Sequence, residues 1–135
     1  MRYQAHRGVA SEAPENTMAA YRLAVLQGYD VIELDPDFTK DGVCVLFHDK
    51  TLARTARSAE GDLLPAERTL RETSFAELMK LDVGLSHSPK YRGEKVPTLK
   101  EALADAYAAT ETIEFEGKYM RHDIGQRALA AMEGQ

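Results

Sequence analysis

Between Ile32 and Asp49 the chain reads IELDPDFTKDGVCVLFHD. Glu33, Asp35 and Asp37 stand at every second position, and His48 and Asp49 close the stretch. In an extended strand this spacing puts all the acids on one face and Ile32, Leu34 and Pro36 on the other. A desolvated carboxylate costs on the order of several kcal/mol unless a cation or hydrogen-bond donors compensate it. A hard divalent cation is the simplest compensation, because Mg²⁺ and Ca²⁺ are bound through oxygens. The stretch therefore predicts a metal site, with His48 near enough in sequence to serve it. Two further clusters carry chemistry: His6-Arg7-Gly8 near the start and Glu116-Gly117-Lys118 near the end.

The elements that must position these groups are legible in outline. An extended run over 1–5 leads into His6-Arg7, and Gly8 permits a tight turn. Residues 9–15 read as a loop. Asn16 is predicted to cap a helix running to Gln27, with Ala20, Leu23, Ala24 and Gln27 on one stripe and Gly28 as its stop. An acidic strand follows over 29–38, then a Lys40-Asp41-Gly42 turn and a second extended run over 43–47. Residues 50–73 have no sustained period and read as loop. Ser74 and Glu77 form a capping box that opens a short helix to Leu81. Thr98 and Glu101 form a second box, and Leu99, Ala102, Leu103 and Ala106 then recur at helical spacing to about Ala109. Residues 112–116 alternate as a strand. Ile124, Ala128 and Met132 mark a final helix, capped by Asp123.

This alternation predicts an α/β fold with a parallel sheet and right-handed crossovers. The span 50–96 is too long for a plain connection and reads as an insertion beside the acidic strand. Catalytic groups in parallel α/β sheets sit beyond the C-terminal strand ends. His6-Arg7, Glu33-x-Asp35 and Glu116-x-Lys118 each stand at such an end, so the fold would bring them to one rim.

Composition narrows the classes further. The chain has 135 residues, 44% hydrophobic and 29% charged, enough for one soluble domain with a core. A net charge of -5 gives no general affinity for nucleic acid or anionic membranes. An anionic substrate would need local positive charge or a metal. Cys44 is the single cysteine, has no internal partner, and reads as a small buried apolar residue. The start of the chain lacks the pattern of a secretory leader, and no apolar run approaches the roughly 20 residues of a membrane span. The expected compartment is the cytoplasm.

Several motifs fall in a characteristic order between residues 3 and 99. They are His6-Arg7-Gly8, Pro14-Glu15-Asn16-Thr17, Glu33-Leu34-Asp35, Thr39-Lys40-Asp41-Gly42, His48-Asp49, Leu52 and Arg54-Thr55, then Leu81-Asp82-Val83-Gly84 and Val96-Pro97-Thr98-Leu99. In this order and spacing the sequence resembles the glycerophosphodiester phosphodiesterase family. The resemblance implies a TIM (β/α) barrel with a metal-dependent site at its C-terminal rim. It implies Glu33 and Asp35 as ligands of Mg²⁺ or Ca²⁺, His6 and His48 as an acid/base pair, and Arg7 as a phosphate contact. A Glu-x-Lys on the next strand would add a third ligand and a second phosphate contact, and Glu116 and Lys118 match that spacing. Gly117 stands between them where family members usually have an aliphatic residue. Asp37 is assigned to a solvated rim, His87 and His122 to the surface, and Arg54 to a structural tie between the insertion and the barrel.

The implied reaction is metal-dependent hydrolysis of small glycerophosphodiesters to glycerol 3-phosphate and an alcohol such as choline or ethanolamine, a step of lipid and glycerol metabolism. Either water or the substrate's own glycerol hydroxyl attacks first, the latter through a cyclic phosphate. A TIM barrel takes about 250 residues. This chain supplies about its first three βα units, with the insertion after the second strand, so 1–135 reads as the N-terminal part of such a barrel. An open half-barrel exposes sheet edges and apolar surface, which predicts self-association. Two other readings stand beside the hydrolase: an inactive binding or oligomerising fragment, and a phospholipid-cleaving lyase that stops at a cyclic phosphate.

Overall fold

A computed structural model of the chain describes residues 1–111 and Ala130. Glu116, Lys118, His122, the predicted strand over 112–116 and the predicted final helix lie outside the described residues.

The first extended run forms a strand only at its end, β1 (Gln4–Ala5). Ala5 is buried while Met1 and Tyr3 stay exposed, so only the last residues are drawn onto the core. Helix α1 (Met18–Leu26) follows. Its cap is Thr17 rather than the expected Asn16: the Thr17 hydroxyl accepts from the Ala20 N–H at 3.3 Å and donates to the Pro14 carbonyl at 2.6 Å. Asn16 cannot cap because its amide is engaged elsewhere, by Asp35 and Tyr21. The buried stripe of α1 is Ala20, Tyr21 and Ala24. Gln27 departs from the predicted stripe; it is the C-cap, and its exposed amide reaches Glu12. Gly28 then stops the helix at φ 74°, as expected.

The acidic strand is not continuous. Strand β2 (Val31–Ile32) pairs in parallel with β1, Gln4 opposite Val31 and Ala5 opposite Ile32. Strand β3 (Pro36–Phe38) belongs to a different pairing, antiparallel to β4 (Cys44–Leu46). The physical reason lies in the backbone between them. The Glu33 N–H still donates to Ala5, but the Asp35 carbonyl accepts from Phe47 at 2.8 Å and Pro36 has no N–H to continue a ladder. The three acids therefore do not share one pleated face. The turn between β3 and β4 forms where predicted, closed by Thr39 N–H to Val43 and Gly42 N–H to Thr39, each at 3.0 Å.

Strand β4 is the wall between two cores. Its alternation sends Val45, with Phe47 beyond its end, into one cluster with Leu52, Leu70, Leu78, Leu81, Val83 and Val96. Cys44 and Leu46 face the other way, onto Tyr21, Leu99 and Ala102. Cys44 is buried as expected, and burial, then the charge of Asp37, raises its thiol pKa. The first cluster gives the 50–96 span a core of its own. That span also holds bridges between Thr51 and Thr69 and between Arg57 and Asp82, and helix α2 (Phe75–Leu78), shorter than predicted. The Ser74–Glu77 capping box is present in both directions. Asp82, only 3% exposed, anchors the segment by accepting from the backbone N–H groups of Gly84, Leu85 and Gly93 at 2.8, 2.9 and 2.6 Å. Burial alone pushes its carboxyl up, and these donors more than offset it, leaving the pKa lowered. Helix α3 (Leu99–Glu111) opens on the predicted Thr98–Glu101 box, with reciprocal bonds of 2.8 and 3.1 Å. Among the described residues no helix is long and apolar enough to cross a membrane.

Candidate functional site

The parallel register of β1 and β2 builds the first half of the site. One step beyond the paired Ala5 and Ile32 come His6 and Glu33, and His6 Nε2 lies 3.4 Å from Glu33 Oε1. The other Glu33 oxygen accepts from the Gln4 amide at 2.6 Å. Arg7 is held at φ 57°, a left-handed conformation that strains a non-glycine residue. Its Nη1 donates to Glu15 at 3.0 Å and its Nε lies 3.4 Å from Asp35 Oδ2. That Nε is buried and makes no hydrogen bond. Asp35 is fixed by Asn16, whose Nδ2 donates to Oδ2 at 2.9 Å and whose Oδ1 accepts the Asp35 N–H at 3.3 Å. The same Asn16 Oδ1 accepts from the buried Tyr21 hydroxyl at 2.8 Å. Burial, then the Asp35 charge, pushes the Tyr21 pKa well up, so this hydroxyl keeps its proton and donates. Among the described residues Asn16 is the other non-glycine residue with positive φ, at 53°. Both strained residues thus stand at this site.

The second half stands beyond β4. His48 Nδ1 lies 2.7 Å from Asp49 Oδ1. Asp49 and Glu15 are both gripped by Arg54, with its shortest contacts 2.5 and 2.6 Å. A continuous path therefore runs His48, Asp49, Arg54, Glu15, Arg7, Asp35, Asn16, Tyr21. The hydrogen bond from Arg54 pulls Asp49 down to about 2, against an upward push from burial and with further help from His48. Glu15 is lowered for the same leading reason. Asp49 is thus an ionised acceptor, so the proton shared with His48 sits on Nδ1 and Nε2 keeps its lone pair when the ring is neutral.

A pH prediction follows from Asp49. Its folded pKa, about 2, is depressed below the ordinary 3.8, so its contribution to stability is complete above about 4 and is lost as pH falls towards 2. In urea unfolding, the stability gap between the wild type and Asp49→Asn should narrow across that window. A gap that stays constant from neutral pH to pH about 2 would contradict the assignment.

Of the residues singled out from sequence, His6 meets Glu33 and Arg7 meets Asp35, and His48 joins the second pair through the network. Asp37 leaves the site: rather than being simply solvated, it pairs with Arg71 at 2.6 Å. His87 is exposed as expected, and its ring packs edge-on against Tyr91. Glu15, Asn16, Asp49 and Tyr21 are the members that sequence reasoning left without a role here. The first three lie in the Pro-Glu-Asn-Thr and His-Asp motifs, which was their only signal. Among the described residues no group of three or more His, Cys, Asp or Glu side chains converges as a metal cage. Glu33 and Asp35 nevertheless fit a hard divalent cation in chemistry, as oxygen donors: Glu33 has only His6 and Gln4 against it, and Arg7 and Arg54 face the three carboxylates Glu15, Asp35 and Asp49.

The sequence pattern of the Glycerophosphoryl diester phosphodiesterase family matches residues 6–131. A glycerophosphodiester phosphodiesterase of Caldanaerobacter subterraneus subsp. tengcongensis is 41% identical over 99 residues, covering 73% of this chain and 37% of that protein. Human glycerophosphodiester phosphodiesterase 1 is 38% identical over 120 residues, covering 87% of this chain and 34% of that protein. Among solved structures, a phosphodiesterase from Oleispira antarctica in complex with the product sn-glycerol-3-phosphate superposes with a TM-score of 0.70 at 38% identity, over 80% of this chain and 40% of that one. A glycerophosphodiester phosphodiesterase from Agrobacterium tumefaciens gives 0.69 at 35% identity, over 80% and 43%. The chain spans roughly a third of the length of these two curated relatives.

Proposed function

Because the chain belongs to the glycerophosphoryl diester phosphodiesterase family, we propose that its site takes part in hydrolysing glycerophosphodiesters to glycerol 3-phosphate and an alcohol. The observation that carries this reading is the parallel β1–β2 register, which sets His6 against Glu33, with the Arg7–Asp35 ion pair beside it. Glu33 and Asp35 would hold Mg²⁺ or Ca²⁺, with Glu116 as the third ligand supplied by the sequence. Such an ion, when bound, neutralises phosphoryl oxygens and the charge that develops on them. The excess of carboxylates over guanidiniums at the site supports a cation there, since it would otherwise repel an anionic diester.

The chain's own residues supply the remaining chemistry. Arg7, held by Glu15 and Asp35, would meet the phosphate as the motif pattern implies. Lys118 would add a second such contact. One histidine of the His6/His48 pair takes the proton of the attacking hydroxyl or water, and the other returns a proton to the leaving alkoxide as the P–O bond breaks. Each such transfer contributes typically about 10²–10⁴-fold. Asp49 favours the form of His48 that has a free Nε2 for this task. In this reading 1–135 is the N-terminal part of a TIM barrel, with 50–96 inserted after its second strand, and such a part would be prone to self-association. A cytoplasmic setting is consistent with the buried free thiol of Cys44.

Phosphorus NMR of glycerophosphocholine incubated with the chain and Mg²⁺ or Ca²⁺ tests the reaction. Conversion of the diester signal into that of glycerol 3-phosphate is expected. Accumulation of a cyclic phosphate as the end product would favour the lyase reading, and an unchanged diester would favour the binding-fragment reading.

A further inference from the structure

We propose that Arg54 is a positioning residue for His48, a role that rests on the phosphodiesterase reading and goes beyond a structural tie. One guanidinium makes two bidentate grips, one through its side and one through its end. Its Nε and Nη2 donate to Asp49 Oδ2 and Oδ1 at 2.5 and 3.0 Å, and its Nη1 and Nη2 donate to Glu15 Oε2 and Oε1 at 2.9 and 2.6 Å. Each gripped carboxylate has a second duty. Asp49 Oδ1 binds His48 Nδ1, and Glu15 Oε1 accepts from Arg7 Nη1. Arg54 thereby fixes the histidine beyond β4 relative to the arginine beyond β1, two groups that no strand pairing connects directly.

The plain alternative is that Arg54 only ties the 50–96 segment to the rim. An isolated exposed ion pair contributes little, and the Arg54 side chain is 50% exposed. A double bidentate grip is different because it restricts orientation as well as distance. A tie acts on stability alone, whereas a positioning residue acts on the state and direction of the imidazole. Lysine separates the two, since its ammonium keeps the charge but has no planar fork.

The experiment uses the full chain carrying Arg54→Lys or Arg54→Gln, with Asp49→Ala as the reference for an untethered His48. Arg22→Lys is the control, because Arg22 grips Asp105 in the same manner, at 2.8 and 3.2 Å, away from the site. Long-range proton–nitrogen NMR reads which imidazole nitrogen of His48 carries the proton. We expect both Arg54 variants to give the Asp49→Ala pattern and Arg22→Lys the wild-type one. Turnover of glycerophosphocholine should fall on the order of 10²-fold in kcat in the Arg54 variants, the scale of a misplaced catalytic group, with KM changed only a few-fold. A wild-type His48 pattern in Arg54→Lys and Arg54→Gln would overturn the proposal and leave Arg54 as a tie. The spectrum needs no turnover. A wild-type chain that fails to hydrolyse the diester would therefore count against the proposed reaction, while the His48 pattern would still decide the role of Arg54.

Discussion

His48→Ala is expected to lower glycerophosphodiester turnover by about 10²–10⁴-fold while leaving the fold in place. The separation of the two effects follows from where the residue sits. His48 lies just past β4, whose Cys44, Val45 and Leu46 are all buried and make the packing contacts. Its own side chain is 44% exposed, and its Nδ1 bonds Asp49. Removing the ring leaves Asp49 still held by Arg54, so no buried charge is stranded. Glycerol 3-phosphate release and a thermal melt, measured on the same preparation, check the prediction. Full turnover in the variant would remove His48 from the acid/base pair. A collapse of the melt would assign it a structural role instead.

Gly8→Ala is expected to damage the fold and the site together. Gly8 adopts φ 78°, and a Cβ there would stand 2.6 to 2.8 Å from the Cβ, carbonyl carbon and oxygen of Ala20 in α1. Two of those atoms are helix backbone and cannot rotate away. Strain of the left-handed backbone costs roughly 1–3 kcal/mol, and overpacking typically adds about 1–3 kcal/mol. The displacement would also reach the chemistry. Val9 N–H bonds Ala20 across the same contact, and the Asn16 N–H bonds the Arg7 carbonyl at 2.9 Å, so the loop that holds Arg7 and Asn16 moves with α1. Urea unfolding should show a marked fall in midpoint, and activity should fall beyond what the remaining folded fraction explains. An unchanged midpoint would mean that α1 yields more easily than its backbone contacts indicate.

How far the sequence carried differs from residue to residue. The capping boxes at Ser74 and Thr98 were legible because they are local: the partners lie three positions apart and need no tertiary information. The same holds for the turn at 40–42 and the stop at Gly28. The acidic strand was misread because alternation of Glu33, Asp35 and Asp37 is a statement about parity, whereas the break depends on which neighbour the backbone pairs with. Pro36 was the available warning, being a residue that cannot continue a ladder. Asn16 was misread because a good cap residue two positions from the helix is locally indistinguishable from Thr17, and only the side-chain contacts with Tyr21 and the distant Asp35 decide between them. Arg54 was seen as a tie, and its partners Glu15 and Asp49 were in view as motif letters. That all three converge is a long-range fact, with Glu15 lying 39 positions before Arg54. The motif order carried the family because it records such convergences without requiring them to be derived.

The most direct test of a cation-carrying phosphodiesterase site on Glu33 and Asp35 is the initial rate of glycerol 3-phosphate release from glycerophosphocholine. It is measured after EDTA treatment and after return of Mg²⁺ or Ca²⁺, in the wild type and in Glu33→Gln/Asp35→Asn. EDTA should abolish the wild-type rate, the divalent ion should restore it, and the double variant should stay inactive at every ion concentration. A rate indifferent to EDTA, or one restored equally in the double variant, would contradict it.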